Sequence, residues 1–418
     1  MSFDSLIRRS GVAPDYTRLE GIYEGTRRLD ALGVTLPPQV RVLEMVAPFP
    51  KMAIDVLVEV LTPEGFILGD DEETPRLLRR WWQANDLDSE IRLALTEALV
   101  QGRSYLIVGP GEGDIPRITA HRRIGMAVGY DHMGRVSEAM RRYKVGNRIY
   151  AAHYLPGETR YYEYANGQWG EVPDSRIVTG ASRPAVIPIT NKLRLADNTG
   201  RSELLDIAKV TDAGSRTLTN LQVAQELLAM PSRYIMSDSI ESPESAVDAI
   251  KAYFGSYIVG SPGDTAGQIP GADLNPIIGT YKLYAQIISS VTGIPPSMLG
   301  ISTENPSSAE AMRVAKDRLI ARAEVKQSLF GDAIEDAARL ALEMQGAVPD
   351  GVETLEVQWR DPAYSSASAK TASMLQAHAQ GIITAETARE GLQLTPEQRA
   401  REDRASEASA FARRQMGG

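Results

Sequence analysis

Two glycine-containing stretches flank the apolar run 104–109, and their residue types could bind a phosphate or attack an acyl carbon. Gly109–Gly113 (GPGEG) follows the run, but Asp114 stands where a dinucleotide-binding loop has its third glycine. Gly102–Leu106 (GRSYL) departs from a nucleophile elbow at its last residue and precedes the strand instead of following it. A plain turn is the favoured interpretation of Gly109–Gly113. The sequence also has no GxxxxGK(S/T) motif, which excludes a P-loop ATPase.

Metal chemistry finds equally little support. The four histidines (His121, His132, His153 and His378) have no ligand spacing, so we expect surface or packing roles for them. The acidic run Asp70–Glu73 could bind a cation loosely, but a solvated loop at a helix start is the favoured interpretation. Because no catalytic constellation is visible, the sequence predicts a protein that is not an enzyme and that has no cofactor and no metal.

The bulk composition is that of a globular protein with more than one domain. The chain has 418 residues, of which 43% are hydrophobic and 24% charged. Its net charge of −9 argues against binding nucleic acid through a broad basic surface, although not against letting nucleic acid pass. There is no cysteine, which fits a reducing cytosol or a protein stabilised by assembly. No apolar run predicts a transmembrane helix or a signal peptide.

Residues 1–200 have the pattern of an α+β region. Residues 75–85 and 89–101 have helical spacing, and the run 104–109 predicts a buried strand. Further strands are predicted at 139–145, 148–155 and 160–164, with Asn166-Gly167 as a hairpin turn because both residues tolerate positive φ. The expected core residues of the second helix are Leu93, Leu95, Ala98 and Leu99.

The following residues are mostly helical. Residues 201–230 form a long helical pattern that Pro231 ends, and Gly214 predicts a bend in it. A small module at 231–276 has two basic and six acidic residues, a local charge of −4. Residues 277–292 are helical again, and Gly293 is suited to a left-handed C-cap.

A polar loop at 299–306 then leads into one of the longest helical patterns of the chain. From Pro295 to Met312 there is no basic side chain. Ser307 and Glu310 fit a capping box at the start of the helix, which continues to about Gln345 with an apolar stripe. Gly331 in its middle predicts a kink. One strand follows at 352–360, and the Ala-rich tail 361–418 predicts further helix.

The order of helix, acidic module, helix, bare loop and long helix resembles the portal proteins of tailed bacteriophages. The similarity extends over more than 300 residues, although each motif is short. The similar segments are GRSELLDI with PSRYI between Gly200 and Ile235, TGIPPSMLG, NPSSAEAMR, VQWRDP, VEVLTPEGF and EALVQGRSYLIVG. The resemblance implies an α+β, mainly helical portal fold with wing, stem, clip and crown regions that assembles into a ring.

The resemblance also implies a division of the chain. The wing would comprise residues 1–200 and the strand at 347–360. The two stem helices would be residues 201–230 and 277–298, with the clip at 231–276 between them. The tunnel loop would be residues 299–306, followed by the long kinked helix 307–346 and the helical crown 361–418.

As a portal, the protein would be a ring, usually of twelve subunits, at one capsid vertex of a virion, assembled in the host cytoplasm. Double-stranded DNA would pass through its channel during packaging and ejection. The clip would bind the large terminase subunit and then the head–tail adaptor, and other partners would be the major capsid and scaffolding proteins; no membrane is implied.

Three sets of site residues follow from the resemblance. The tunnel loop has no basic side chain and would let DNA slide without gripping it. The acidic clip would attract a partner with basic residues. The loop residues are Ile301, Ser302, Thr303, Glu304 and Asn305; the clip residues are Asp238, Glu241, Glu244 and Asp248; the kink is at Gly331.

Two alternatives remain at this point. Another head structural protein, such as an adaptor or a minor capsid protein, would differ from a portal in ring size. A nuclease or packaging ATPase would need clustered carboxylates or a P-loop, and neither is visible in the sequence.

Overall fold

The computed structural model describes residues 3–11, 14–29, 42–228, 233–236, 265–268, 273–301, 309–363, 367–384 and 401. Its helices are α1 (Phe3–Arg9), α2 (Pro14–Tyr23), α3 (Phe49–Glu59), α4 (Glu73–Ala84), α5 (Leu87–Gln101), α6 (Ala208–Leu228), α7 (Asn275–Thr292), α8 (Ala309–Gln345) and α9 (Ala367–Ala379). Its strands are β1 (Pro63–Ile67), β2 (Arg103–Gly109), β3 (Arg117–Arg122), β4 (Met126–Tyr130), β5 (Val136–Val145), β6 (Arg148–Leu155), β7 (Glu158–Ala165), β8 (Gln168–Glu171), β9 (Ile177–Val178), β10 (Val186–Thr190), β11 (Arg233–Met236), β12 (Thr265–Gln268) and β13 (Glu356–Trp359).

The core of the N-terminal region lies between α5 and a three-stranded antiparallel sheet. The strand order of this sheet is β10-β2-β3. Leu95 and Leu99 of α5 are fully buried in the same cluster as Leu106 of β2, as their spacing predicted. The expectation for Leu93 was wrong, because its side chain is 59% exposed. Leu93 lies two residues before Leu95, which places it on the outer side of the helix.

A six-stranded antiparallel sheet forms a second layer, with the order β4-β5-β6-β7-β8 and with β9 paired to β7. One face packs against Tyr105 and Val186 of the first sheet. Helix α1 covers the other face, where Leu6 is fully buried. The hairpin prediction is confirmed: Asn166 and Gly167 have φ values of 52° and 81° and join β7 to β8.

Helices α6 and α7 pack against each other and against α3. The stacked rings of Phe49 (α3) and Tyr281 (α7) have centroids 5.2 Å apart. A Cβ atom on Gly214 of α6 would lie 3.2 Å from Phe49 Cε2. Helix α6 continues through Gly214 without a break. The glycine therefore has a packing role, since it allows an aromatic ring to approach the helix closely.

Helix α8 runs uninterrupted for 37 residues, and its apolar stripe joins the two halves of the chain. Leu319, Ala323 and Phe330 are buried in one cluster together with residues of α3 and α5. Strand β13 then pairs antiparallel with β1, far back in the sequence. Among the described residues, no helix is both long and apolar enough to cross a membrane.

Candidate functional site

A buried ionic cluster lies where α6, α7, α8 and β10 meet. The cluster begins at the GRSE motif. The backbone N–H of Leu204 donates to Ser202 Oγ at 3.1 Å, which starts a 3-10 turn at Glu203–Asp206 ahead of α6. The sequence pattern predicts a helix start near residue 201, but the side-chain cap opens a tighter turn before the helix.

The carboxylate of Glu203 binds two cationic side chains and one side-chain amide. Its carboxylate accepts from Lys326 Nζ at 2.6 Å, Arg322 Nη2 at 2.7 Å and Asn191 Nδ2 at 3.0 Å. Lys326 also donates to Asn191 Oδ1. We call Asn191, Glu203, Arg322 and Lys326 the hub. Asn191 and Lys326 of the hub are 135 positions apart in sequence. The hub therefore connects the end of β10, the turn before α6 and the middle of α8.

Burial makes the hub charges strongly dependent on one another. The side chain of Lys326 is 2% exposed and that of Glu203 is 8% exposed. Burial acts to raise the pKa of Glu203, but Lys326 and Arg322 outweigh it and hold this pKa below its usual value. Burial lowers the pKa of Lys326 despite the nearby carboxylate. Two cations, Lys326 and Arg322, share the single negative charge of Glu203. The positive charge of the buried Lys326 is therefore less fully neutralised than the negative charge of Glu203.

Arg322 also binds the C-terminal end of α7. Its guanidinium donates to the carbonyl oxygen of Val291 at 3.2 Å and to that of Thr292. These carbonyls have no helical partner, so a cation stabilises them and the negative end of the helix dipole. Gly293 follows with φ of 72°, and its N–H donates to Ser289 O at 2.8 Å, which confirms the predicted left-handed C-cap.

The segment leading into the bare loop is fixed by local contacts. Ser289 Oγ donates to Ile294 O at 2.7 Å, and the N–H of Ile301 donates to Pro296 O at 3.1 Å. Ile294 and Leu299 are buried, and Ile301 is half-buried against the same core. The structure therefore anchors the first residue of the expected tunnel loop.

The remaining loop and clip residues lie outside the described residues. These are Ser302, Thr303, Glu304, Asn305, Asp238, Glu241, Glu244 and Asp248. Within the expected clip, β11 and β12 form an antiparallel pair that aligns Arg233 with Gln268 and Met236 with Thr265. The kink expected at Gly331 stays a prediction. A Cβ there would lie 3.4 Å from Trp359 Nε1, so a packing reason for this glycine exists.

The outer side of α7 carries an exposed apolar stripe. Leu283, Ile287 and Val291 are 52%, 38% and 40% exposed and follow one another at four-residue steps, on one side of the helix. Lys282 is the one charged residue in the helix sequence. Such an unpaired stripe indicates a protein contact.

The other chemistry-bearing residues are structural. Asp71 accepts from the N–H of Glu73 at 2.8 Å and from Thr74 Oγ1 at 2.6 Å, which confirms the helix-start interpretation of the acidic run. His153 contacts Glu138 at 3.1 Å in a buried pair. Among the described residues, no three His, Asp or Glu side chains gather as metal ligands.

The sequence interpretation missed the hub, although one signal was present. Lys326 lies between Ala323 and Phe330 on the apolar stripe of α8, at three- and four-residue steps. A lysine on a buried stripe requires an anionic partner. Its partner Glu203, however, lies 123 residues away in sequence.

Comparison with solved structures shows which known chains share this fold. The fold matches chains from two structures, titled "Neck of native GTA particle computed with C12 symmetry" and "Virion of native gene transfer agent (GTA) particle". The TM-scores are 0.55 and 0.53, both at 16% identity. The matches cover 92% and 91% of this chain and 95% and 99% of those chains. At this level of identity the likeness shows a shared fold.

The sequence comparisons give the family. The family model described as "Phage portal protein, SPP1 Gp6-like" matches residues 13–410. The portal proteins of Mycobacterium phages D29 and L5 are 35% and 34% identical, over 88% of this chain and 80% of each relative. The chain belongs to this family of phage portal proteins, which are structural proteins and not enzymes. The resemblance inferred from the motifs is confirmed.

Proposed function

We propose that the protein assembles into a ring, of twelve subunits in its virion form, that conducts double-stranded DNA at one capsid vertex. The observation that carries the proposal is the exposed stripe of Leu283, Ile287 and Val291 on α7. A heterologous contact that repeats by rotation closes a ring. The C12 symmetry of the related particle neck supports the number.

Within this ring, the regions take the roles that the resemblance implied. Residues 1–200 and 347–360 form the wing, and α6 and α7 are the stem helices. Residues 231–276 form the clip, 299–306 the tunnel loop and 361–418 the crown. The hub supports this division, because it holds the wing-side ends of both stem helices against α8.

DNA passes the tunnel loop during packaging and ejection. The residues from Ile301 to Asn305 include Glu304 and no basic side chain, so the loop confines the duplex without binding its phosphates. The anchor at Ile294 and Leu299 supports this role, since a loop that meets moving DNA needs a fixed base.

The partners follow from the position of the ring. The acidic clip, with Asp238, Glu241, Glu244 and Asp248, binds the large terminase subunit and then the head–tail adaptor. The wing binds major capsid and scaffolding proteins. Assembly takes place in the host cytoplasm, and the finished ring is part of the virion.

The assembly test uses substitutions in the stripe. We expect the wild-type protein to form rings of about twelve subunits with a central hole. A variant with Leu283→Ser, Ile287→Ser and Val291→Ser should remain monomeric or form small oligomers at micromolar concentration. The loss follows from removing three apolar side chains, each contributing roughly 1 kcal/mol as its exposed part becomes buried in the ring. Native mass spectrometry and electron-microscopy class averages measure the outcome.

A matched control distinguishes an effect of the stripe on assembly from an effect of losing exposed apolar side chains in general. Met133, Val178 and Val348 are also exposed, and their replacement by serine should leave the rings intact. If both variants form wild-type rings, the stripe is not the subunit interface. If the wild-type protein forms a ring of clearly different size that does not pass DNA, an adaptor becomes the better assignment.

A further inference from the structure

Two of the two-residue hairpins of the six-stranded sheet lie at the same end of it. Gly146-Asn147 joins β5 to β6, and Asn166-Gly167 joins β7 to β8. Because neighbouring strands run in opposite directions, both turns lie at the same end of the sheet. All residues from Lys144 to Arg148 and from Tyr164 to Gln168 are exposed. We call this end, together with exposed Arg142 on β5, the sheet tip.

The sheet tip is basic in an acidic protein. Residues 141–150 (RRYKVGNRIY) contain four cations and no carboxylate, whereas the whole chain has a net charge of −9. Arg142 and Lys144 are exposed, and in the described part of the chain neither pairs with a carboxylate. Arg148 pairs with Glu163 at 3.3 Å, through side chains that are largely at the surface. Each subunit therefore presents about two uncompensated positive charges here.

The pairing register places these cations beside aromatic rings. Lys144 pairs with Ile149, which pairs with Tyr164 on the next strand, and Tyr164 contacts Trp169 with ring centroids 5.1 Å apart. Residues paired in this way project from the same face, so Lys144 and Tyr164 share a surface. Arg142 is two residues before Lys144 and projects from that face as well.

We propose that the sheet tip binds the backbone of double-stranded DNA, through Arg142, Lys144 and Arg148, outside the channel. Arg142 and Lys144 are separated by two residues of strand, about 6.6 Å. Each DNA strand carries one phosphate per about 3.4 Å of helix axis, so the two cations reach different phosphates. Arg148 projects from the other face beside the turn, and a duplex that lies across the tip contacts both faces. Exposed Tyr164 has a hydroxyl that donates to phosphate oxygen.

A protein partner fits this surface less well. The large apolar or aromatic side chains exposed at the tip are Val145 and Tyr164. Val145 pairs with Arg148 and projects from the face opposite Lys144, so Val145 and Tyr164 do not form one apolar patch. A stable protein interface needs a contiguous apolar core, whereas a polyanion needs cations and hydrogen-bond donors.

The inference goes beyond the conduit, because it involves no residue of α7 or of the loop that follows it. The two can be separated with covalently closed circular DNA, which cannot be threaded through a closed ring. Binding of full-length protein to relaxed circular duplex DNA is measured at several salt concentrations. Native mass spectrometry records the assembly state of each protein used.

The test variant carries Arg142→Gln, Lys144→Gln and Arg148→Gln. We expect it to bind circular DNA about tenfold more weakly at low salt, with a log–log salt slope smaller by about 0.9 for every phosphate that the variant no longer neutralises. The matched control replaces Arg18, Arg92 and Arg117, which are exposed elsewhere, with glutamine and changes the net charge equally. The control should bind as the wild type does.

Two results would overturn the proposal. One is equal binding by the wild type, the tip variant and the control, or an equal decrease in both variants, which would reflect net charge alone. The other is tighter binding of the wild-type protein to poly-L-glutamate than to duplex DNA at equal charge concentration, with that preference lost in the tip variant, which would identify the tip as a docking surface for acidic protein. Because linear DNA plays no part, neither result depends on whether the ring conducts DNA.

Discussion

Replacement of Glu203 by glutamine should destabilise the fold more than any neighbouring charge change. The variant Glu203→Gln keeps the shape of the side chain but leaves Lys326 and Arg322 without a counter-charge. Lys326 is 2% exposed, so water does not compensate the loss. Removing one partner of a buried ion pair costs about 3–5 kcal/mol, and we expect the free energy of unfolding to fall by an amount in this range.

The other variants of the hub give an ordered series. Lys326→Met should cost less than Glu203→Gln, because the carboxylate keeps Arg322 at 2.7 Å and Asn191 at 3.0 Å. The double variant Glu203→Gln with Lys326→Met should lose less unfolding free energy than the two single variants lose in sum, because it removes both the lysine and its partner and leaves neither uncompensated. Asp206→Asn is the matched control. It breaks a partly exposed pair with Arg201 and should cost less than about 1 kcal/mol.

Urea unfolding followed by circular dichroism measures the series at pH 7, with all variants in one assembly state. The pKa of Glu203 is lowered in the fold, so its contribution is present above the ordinary carboxyl pKa of about 4.3 and disappears as the pH falls through the lowered value. The difference between wild type and Glu203→Gln should therefore shrink in acid. A cost below about 1 kcal/mol for Glu203→Gln, or a larger cost for Lys326→Met, would refute this account of the hub.

Two further predictions concern Gly331 and His121. Gly331→Ala should change the unfolding free energy by less than about 1 kcal/mol, because its Cβ would just fit beside Trp359. Gly331→Leu should lower the unfolding free energy by about 1–3 kcal/mol, because the larger side chain overpacks the same space. Equal effects of the two substitutions in urea unfolding would favour a kink over packing as the reason for the glycine. Burial, helped by Arg141, lowers the pKa of His121 to about 4, so its contribution to stability is full above the unfolded pKa of about 6.5 and is lost as the pH falls toward 4. His121→Gln should flatten the melting temperature between pH 7 and pH 5, and an unchanged slope would contradict the shift.

The local pattern predicted elements better than it predicted contacts. Residues 148–155 were predicted as a strand, and β6 has these bounds, because period-two alternation and turn residues are local signals. Strand β10 was missed. It is the edge strand of the three-stranded sheet and contains Pro188, and its partner β2 lies about 80 positions earlier in the sequence. Sheet order is a tertiary property, and local spacing does not contain it.

The glycines illustrate the same limit. Gly293 was predicted correctly, since a C-cap with positive φ is decided by the helix that it ends. The bend expected at Gly214 stays a prediction, and the side chain that approaches this glycine is Phe49 on another helix. A glycine within a helix therefore shows that a side chain is unfavourable there, and only the fold shows which neighbour excludes it.

The hub also limits what Arg322 and Lys326 can bind in the proposed ring. Arg322 and Lys326 are close to the anchor of the tunnel loop, yet Arg322 is bound to Glu203 and to the C-terminal carbonyls of α7, and Lys326 is buried. A cation held by internal partners is not free to bind a passing phosphate. Lys282 is then the one basic side chain that α7 offers outside these contacts. In the proposed ring, Arg322 and Lys326 therefore add little to the affinity of the channel for DNA, whereas Arg318 of α8, whose side chain lies beside Gly293, is exposed.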